Sequence, residues 1–214
     1  MPAPVPTLIY RMIHIDNLDM LLRRQALHAP HQTPQDGLTY RTIHDTDVQA
    51  KRHLQPVAVG PGGTIHDYVP FYFGPRSPML LQLHTGRVAG YTQRQDPLVY
   101  VVSSVQAVTG AGCQFIFSDG HGLATYTSWY ADLSDLDKVD WPVVYATRWN
   151  DTVEDMDRQR RKQAEFLVYQ RCPWPAIGSI AVLNPTVQAK VEAIMARHAP
   201  ALRRSVAIHP EWYY

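Results

Sequence analysis

Residues 66–80 read HDYVPFYFGPRSPML. The first part, DYVPFYF at 67–73, is aromatic and β-branched and predicts a strand. GPRSP then breaks the chain, and MLLQLHT at 79–85 reads as a second strand. Working outward, LIYRMIH at 8–14, PLVYVVSSV at 97–105, Cys113–Phe117, AEFLVYQ at 164–170, AIGSIAVL at 176–183 and residues 204–209 also read as strands. Helices are expected from Asp16 to Arg24, over 45–54 with Asp45 or Asp47 as cap, over roughly 152–162, and over 186–198. Strands and helices interleave irregularly. No GxGxxG or GxxxxGK[ST] follows a strand. The pattern favours one α+β domain over a doubly wound nucleotide fold.

The 214 residues fit one large domain, expected to span 1–214. Apolar residues make up 45% and charged residues 18%, which excludes wholesale disorder. Lys+Arg number 20 and Asp+Glu 19, so any nucleic-acid site must be local. Cys113 and Cys172 are too few for a disulfide framework and fit a reducing cytoplasm. The start, MPAPVPTLIY, lacks the basic flank of a secretory signal. The longest apolar run, Leu98 to Val102, is far short of the roughly 20 residues that span a bilayer. A soluble chain without membrane contact is expected.

Four glutamates are present, and only Glu165 falls within an apolar strand. Carboxylates are rarely buried unless paired or used. Glu165 is either a strand carboxylate facing a cleft or an edge charge facing water. Arg52, beside Lys51 on the helix after a long polar loop, suits a pyrophosphate or developing anion, or a solvated face. His14 ends the first strand and suits a ligand contact or a structural bond. His28 and His31 in HAPH make a weak metal pair, without HExxH or a cysteine cluster, so no metal is expected. In SDGHG at 118–122, His121 is a candidate acid, base or base-reading donor.

The run Arg158-Gln159-Arg160-Arg161-Lys162 lies near Trp149 and other aromatics. Arg158 and Arg160 with such aromatics suit unpaired bases on a phosphate backbone. Residues 119–157, however, hold nine acids against Lys138 and Arg148. The run serves equally well to neutralise that segment.

YRMIHIDNLDMLL at 10–22, VQAKRHLQPV at 48–57, HDYVPFYFGPRSPML at 66–80, SDGHG at 118–122, RKQAEFLVY at 161–169 and the terminal WYY follow in order. Together they resemble DarT, the DNA ADP-ribosyltransferase toxins of bacterial DarT–DarG systems. The resemblance runs from about residue 8 to 214. It implies an ADP-ribosyltransferase fold, a split mixed sheet with NAD+ in the cleft. It also implies transfer of ADP-ribose to a base in single-stranded DNA, thymidine in the members most like this chain. By motif, Arg52 and Glu165 form the catalytic pair. Met12, Ile13, His14, Leu21 and Ala29 would line the NAD+ pocket together with Arg52. The segment at about 33–54 would fold over NAD+. The stretch 121–165, with His121 at its start, would present DNA. A macrodomain antitoxin, DarG, is the implied partner. Arg11 stands where many relatives carry histidine. The rival readings are an ADP-ribosyltransferase acting on RNA or protein, and a non-catalytic single-strand binder.

Overall fold

The computed structural model describes residues 2–214. In chain order the strands are β1 (Leu8–His14), β2 (Ala26–His28), β3 (Tyr68–Tyr72), β4 (Leu98–Ser104), β5 (Phe115–Ser118), β6 (Trp129–Tyr130), β7 (Glu165–Tyr169), β8 (Arg171–Pro173), β9 (Ile177–Val182) and β10 (Ser205–Ile208). The helices are α1 (Asn17–Arg24), α2 (Thr46–Leu54), α3 (Pro78–His84), α4 (Val105–Gly110), α5 (Trp141–Tyr145), α6 (Arg158–Arg161) and α7 (Pro185–Ala196).

Eight strands form one sheet in the order β10-β9-β4-β1-β3-β7-β5-β6, and β2 pairs β8 in a small ribbon. The sheet is mixed: β10 runs parallel to β9 and the other pairs are antiparallel. β1 and β4 pair along their whole length, whereas β1 and β3 meet at a single register pair, Tyr10↔Tyr72. The sheet therefore splits between β1 and β3. Pro70 lies on β3, where it has no N–H to give to a neighbour. Its carbonyl accepts from Arg11 Nη1 at 2.9 Å, so a side chain bridges part of the gap the backbone leaves open.

Alternation along the strands sorts the core onto two faces. Ile9, Ile13, Val99 and Val101 pack with Leu18 and Leu22 of α1 and with Val187 and Val191 of α7. Tyr10, Met12, Tyr100 and Val102 pack with Leu80 and Leu83 of α3 and with Tyr213. The Tyr213 hydroxyl donates to the carbonyls of Leu98 (3.1 Å) and Ala181 (3.3 Å), which fastens the chain end to the sheet.

Two expectations are corrected. Residues 79–85 are not a strand but the body of α3. Ser77 Oγ accepts from Leu80 N at 3.3 Å and Pro78 opens the first turn. Ser-Pro at a helix start outweighs the β-like apolar run that follows. The helix expected over 152–162 shrinks to Arg158–Arg161. Asp151 accepts from Gln159 N (2.8 Å) and Thr152 from Asp155 N (3.2 Å). These short side chains bind the backbone locally and compete with helical bonds. At α2, Asp45 is the cap, accepting from Asp47 N and Val48 N.

Candidate active site

The split between β1 and β3 opens into a cleft of about 570 Å³, within the size range of small-molecule sites. Its floor is built from both strands: Tyr10, Arg11 and Met12 on one side, Pro70, Phe71 and Tyr72 on the other. The segment after β2 roofs it with Pro30, Thr33, Tyr40, Ile43 and His44, and α2 adds Val48, Gln49 and Arg52. Arg24 ties that roof to α1, donating to both Asp36 carboxylate oxygens (2.8 and 2.6 Å) and to the Leu38 carbonyl (2.8 Å).

Glu165 opens β7 directly opposite Tyr72 in register. It is 2% exposed and Arg52 is 7% exposed. Arg52 Nη1 donates to Glu165 Oε1 at 2.9 Å and Nη2 to Oε2 at 2.7 Å. Burial by itself would push the Glu165 carboxyl up, but the guanidinium outweighs it and holds the group below its usual range, ionised. Burial likewise works against the charge on Arg52, and Glu165 outweighs it and raises Arg52. A fully charged pair thus sits against the cleft. Gly122 N also points at Glu165 Oε1, at 3.4 Å.

His121 lines the same cleft. Its backbone N–H donates to the Arg160 carbonyl at 3.0 Å, which fixes the turn that presents the ring. Burial pushes the imidazole below its ordinary value; Glu165 pulls the other way and Arg52 adds to the lowering. The ring is therefore neutral at pH 7 and able to accept a proton.

The sequence candidates divide by position. Arg52, Glu165, His121, Met12 and Leu21 line the cleft together. Ile13 and Ala29 are fully buried in the core around α1 and lie outside the cleft lining. His14 is nearly buried at the end of β1, bonded through Nε2 to Gln93 Oε1 at 2.9 Å, and is also outside the cleft lining. Trp149 is buried and donates from Nε1 to the Tyr214 hydroxyl at 2.9 Å, so it anchors the chain end. Arg160 is spent inside the protein. It bonds both oxygens of Asp157 (2.8 Å each) and Asp119 Oδ1 (2.8 Å), and lies over the Tyr126 ring. Arg161 pairs with Asp140 and Asp155, and Lys162 donates to the carbonyls of Val144 (2.6 Å) and Ala146 (3.0 Å). Arg160 and Arg161 neutralise the acidic segment and Lys162 is buried against carbonyls, so the fold itself uses three of the four cations of the run. Arg158 is its most accessible member, with one bond to the Arg148 carbonyl at 3.0 Å and a looser ion pair to Asp155 at 4.0 Å.

Tyr72, His28, His44 and Gln49 line the cleft without having been singled out for it. Tyr72 was legible in principle, since pairing β3 against β7 puts it opposite Glu165. The others depend on how the roof folds back. His28 and His31 do not share a site. His28 stays on the cleft side, while His31 turns to His53 and His66.

Known proteins share this sequence and fold. Residues 10–214 match the family described as "ssDNA thymidine ADP-ribosyltransferase, DarT". A DNA ADP-ribosyl transferase of Thermus sp. (strain 2.9) is 41% identical over 211 residues, covering 99% of this chain and 98% of the relative. The structure of Thermus sp. 2.9 DarT in complex with ADP-ribosylated ssDNA matches with a TM-score of 0.92 at 40% identity, over 100% of this chain and 99% of that one. The same protein in complex with NAD+ matches with a TM-score of 0.87 at 39% identity, over 100% of both chains. The chain belongs to the DarT family of single-stranded-DNA thymidine ADP-ribosyltransferases.

Proposed function

We propose that this chain cleaves the nicotinamide–ribose bond of NAD+ in the β1/β3 cleft and transfers ADP-ribose to thymine in single-stranded DNA. The observation that carries the residue assignment is the ionised Glu165 held against the cleft by Arg52. Support comes from relatives whose solved complexes contain NAD+ and ADP-ribosylated ssDNA.

Departure of nicotinamide builds positive charge on the ribose, as in glycoside cleavage. A carboxylate fixed beside that sugar stabilises the charge more in the transition state than in bound NAD+. Nicotinamide leaves neutral and needs no acid. The acceptor is a thymine ring nitrogen that must lose its proton. Arg52, raised by its partner, stays protonated and serves as an electrostatic clamp rather than a base. His121, neutral and lining the cleft, is the base we assign, with Glu165 as the alternative proton acceptor. Single-strand selectivity follows from access, because the reacting edge is paired inside a duplex.

For the DNA path, Arg158 and the exposed Tyr126, Val153 and Met156, all in the segment between His121 and β7, offer charge and apolar surface. No helix is long and apolar enough to cross a membrane. The proposal places the enzyme in the cytoplasm, as a single domain, with the macrodomain antitoxin DarG that the family resemblance implies. Nicotinamide release is the test. It should require single-stranded DNA containing thymine, and RNA or protein in its place should give none. Release with RNA alone would assign a different acceptor.

A further inference from the structure

Three imidazoles from distant parts of the sequence meet at the outer end of α2. His53 lies in the last turn of that helix, His31 in the turn after β2, and His66 in the turn before β3. One ring nitrogen of each lies within 4.8 Å of the other two. Ring centroids are 4.9, 5.6 and 5.4 Å apart, and the planes cross at 87°, 72° and 70°, so the rings converge rather than stack. His31 Nε2 and His53 Nδ1 are 2.9 Å apart. Zinc–nitrogen bonds of about 2.0–2.1 Å in a tetrahedron need nitrogens roughly 3.3 Å apart. Small ring movements close the difference.

We propose that His31, His53 and His66 bind a divalent transition-metal ion of the zinc type, which clamps α2 to the two neighbouring turns. The surroundings are those of a metal site. Asp67 Oδ1 accepts from His31 Nδ1 at 3.0 Å, which leaves Nε2 with its lone pair facing His53. Asp67 is itself held, accepting from Thr64 N at 2.8 Å and Thr64 Oγ1 at 3.3 Å. Gln49 Oε1 meets His66 Nε2 at 3.1 Å. Such partners fix tautomer and ring orientation in histidine–metal sites. The donor set is all imidazole, which selects zinc, copper, nickel or cobalt over magnesium and calcium. His31 and His53 are exposed, so an ion can enter and a water can take a fourth position.

The proton balance is simple. With His31 Nδ1–H given to Asp67, the short contact at His31 Nε2 is donated by His53 Nδ1–H. A bound cation takes the Nδ1 lone pair and the proton moves to Nε2 of the exposed His53 ring, so the ligand stays a neutral imidazole. The consequence reaches the cleft, because Arg52 is the residue before His53. Fixing the last turn of α2 fixes the backbone from which Arg52 extends to Glu165.

The test uses the full chain stripped with a chelator and titrated with zinc alone, and it needs neither NAD+ nor DNA. Its outcome therefore does not depend on the function proposed above. The expected result is one zinc per chain, an X-ray absorption edge with imidazole scattering, and slower amide exchange across 46–54. His53→Gln and His66→Gln should each weaken binding by about tenfold or more. His209→Gln, at a half-buried histidine paired with Glu211 and stacked on Trp212, should leave it unchanged. Absence of saturable binding, parent-like affinity in the His53 and His66 variants, or absorption without imidazole scattering would each overturn the proposal.

Discussion

The Arg52 guanidinium meets the Glu165 carboxylate as a two-pronged pair, 2.9 and 2.7 Å, between residues separated by 113 positions. A buried pair of this kind contributes little net stability, because desolvation offsets most of the attraction. Removing one member is different, since it strands the other charge. That asymmetry allows stability and chemistry to be separated experimentally.

Glu165→Gln keeps the shape and one acceptor but loses the charge. Turnover should fall by about 10²–10³-fold or more, with NAD+ binding retained. Glu165→Ala should also lose about 3–5 kcal/mol of stability by leaving Arg52 unpaired. Calorimetry, thermal unfolding and single-turnover rates separate the two effects. Full activity of a folded Glu165→Gln variant would remove the carboxylate from the mechanism.

His121 carries a pH prediction. Its folded value is pushed below 6.5, chiefly by burial. A base must be unprotonated, so the rate should be flat near neutrality and fall as pH drops through the lowered value. His121→Ala should slow the reaction and erase that acidic limb. The same shift bears on stability. The unfolded chain binds the proton more tightly, so folding should weaken as pH falls below about 6.5. An unchanged pH–rate profile in the variant would exclude His121 as the base.

Arg158 and Arg160 stand two residues apart and should behave differently. Arg160→Ala breaks bonds to Asp157 and Asp119 and should lower the unfolding temperature. Arg158→Ala should leave the fold intact, weaken single-stranded DNA binding and reduce its salt slope by about one. Fluorescence anisotropy at several salt concentrations measures the slope. Equal slopes in Arg158→Ala and the parent would take Arg158 off the DNA path.

Lys162 is almost wholly buried, and burial together with Arg76 pushes its ammonium down to about 8. It joins the carbonyls at the end of α5 to the segment leading into β7. Lys162→Met would keep the volume but leave those carbonyls without their donor. The expected loss is about 1–3 kcal/mol, or roughly 2–12 °C in a chain of this size. An unchanged melting temperature would show that the bonds contribute nothing net.

Where side-chain pattern alone sets structure, the sequence was readable. Val99 to Val102 are buried on both faces, and β4 followed from that apolar run. Asp45, one of the two caps the sequence offered, caps α2. Glu165 stood out because a lone carboxylate in an apolar strand needs a partner. Its partner was reached only through family resemblance, since nothing local links positions 113 apart. An apolar run as short as 79–85 suits either element, and Ser77-Pro78 is the signal that makes it a helix. Arg160 and Trp149 looked available for DNA because sequence shows charge and aromaticity but not what already occupies them. The His31–His53–His66 cluster has no motif spacing and exists only once the three turns converge.

Under the proposed function, this chain places ADP-ribose on thymine through Glu165. The direct measurement is mass spectrometry of a thymidine-containing single-stranded oligonucleotide after incubation with NAD+, with Glu165→Gln alongside. The expected result is a gain of one ADP-ribose that is absent with the variant and absent when thymine is replaced. No gain over a varied set of thymine-containing sequences, or an equal gain with the variant, would contradict it.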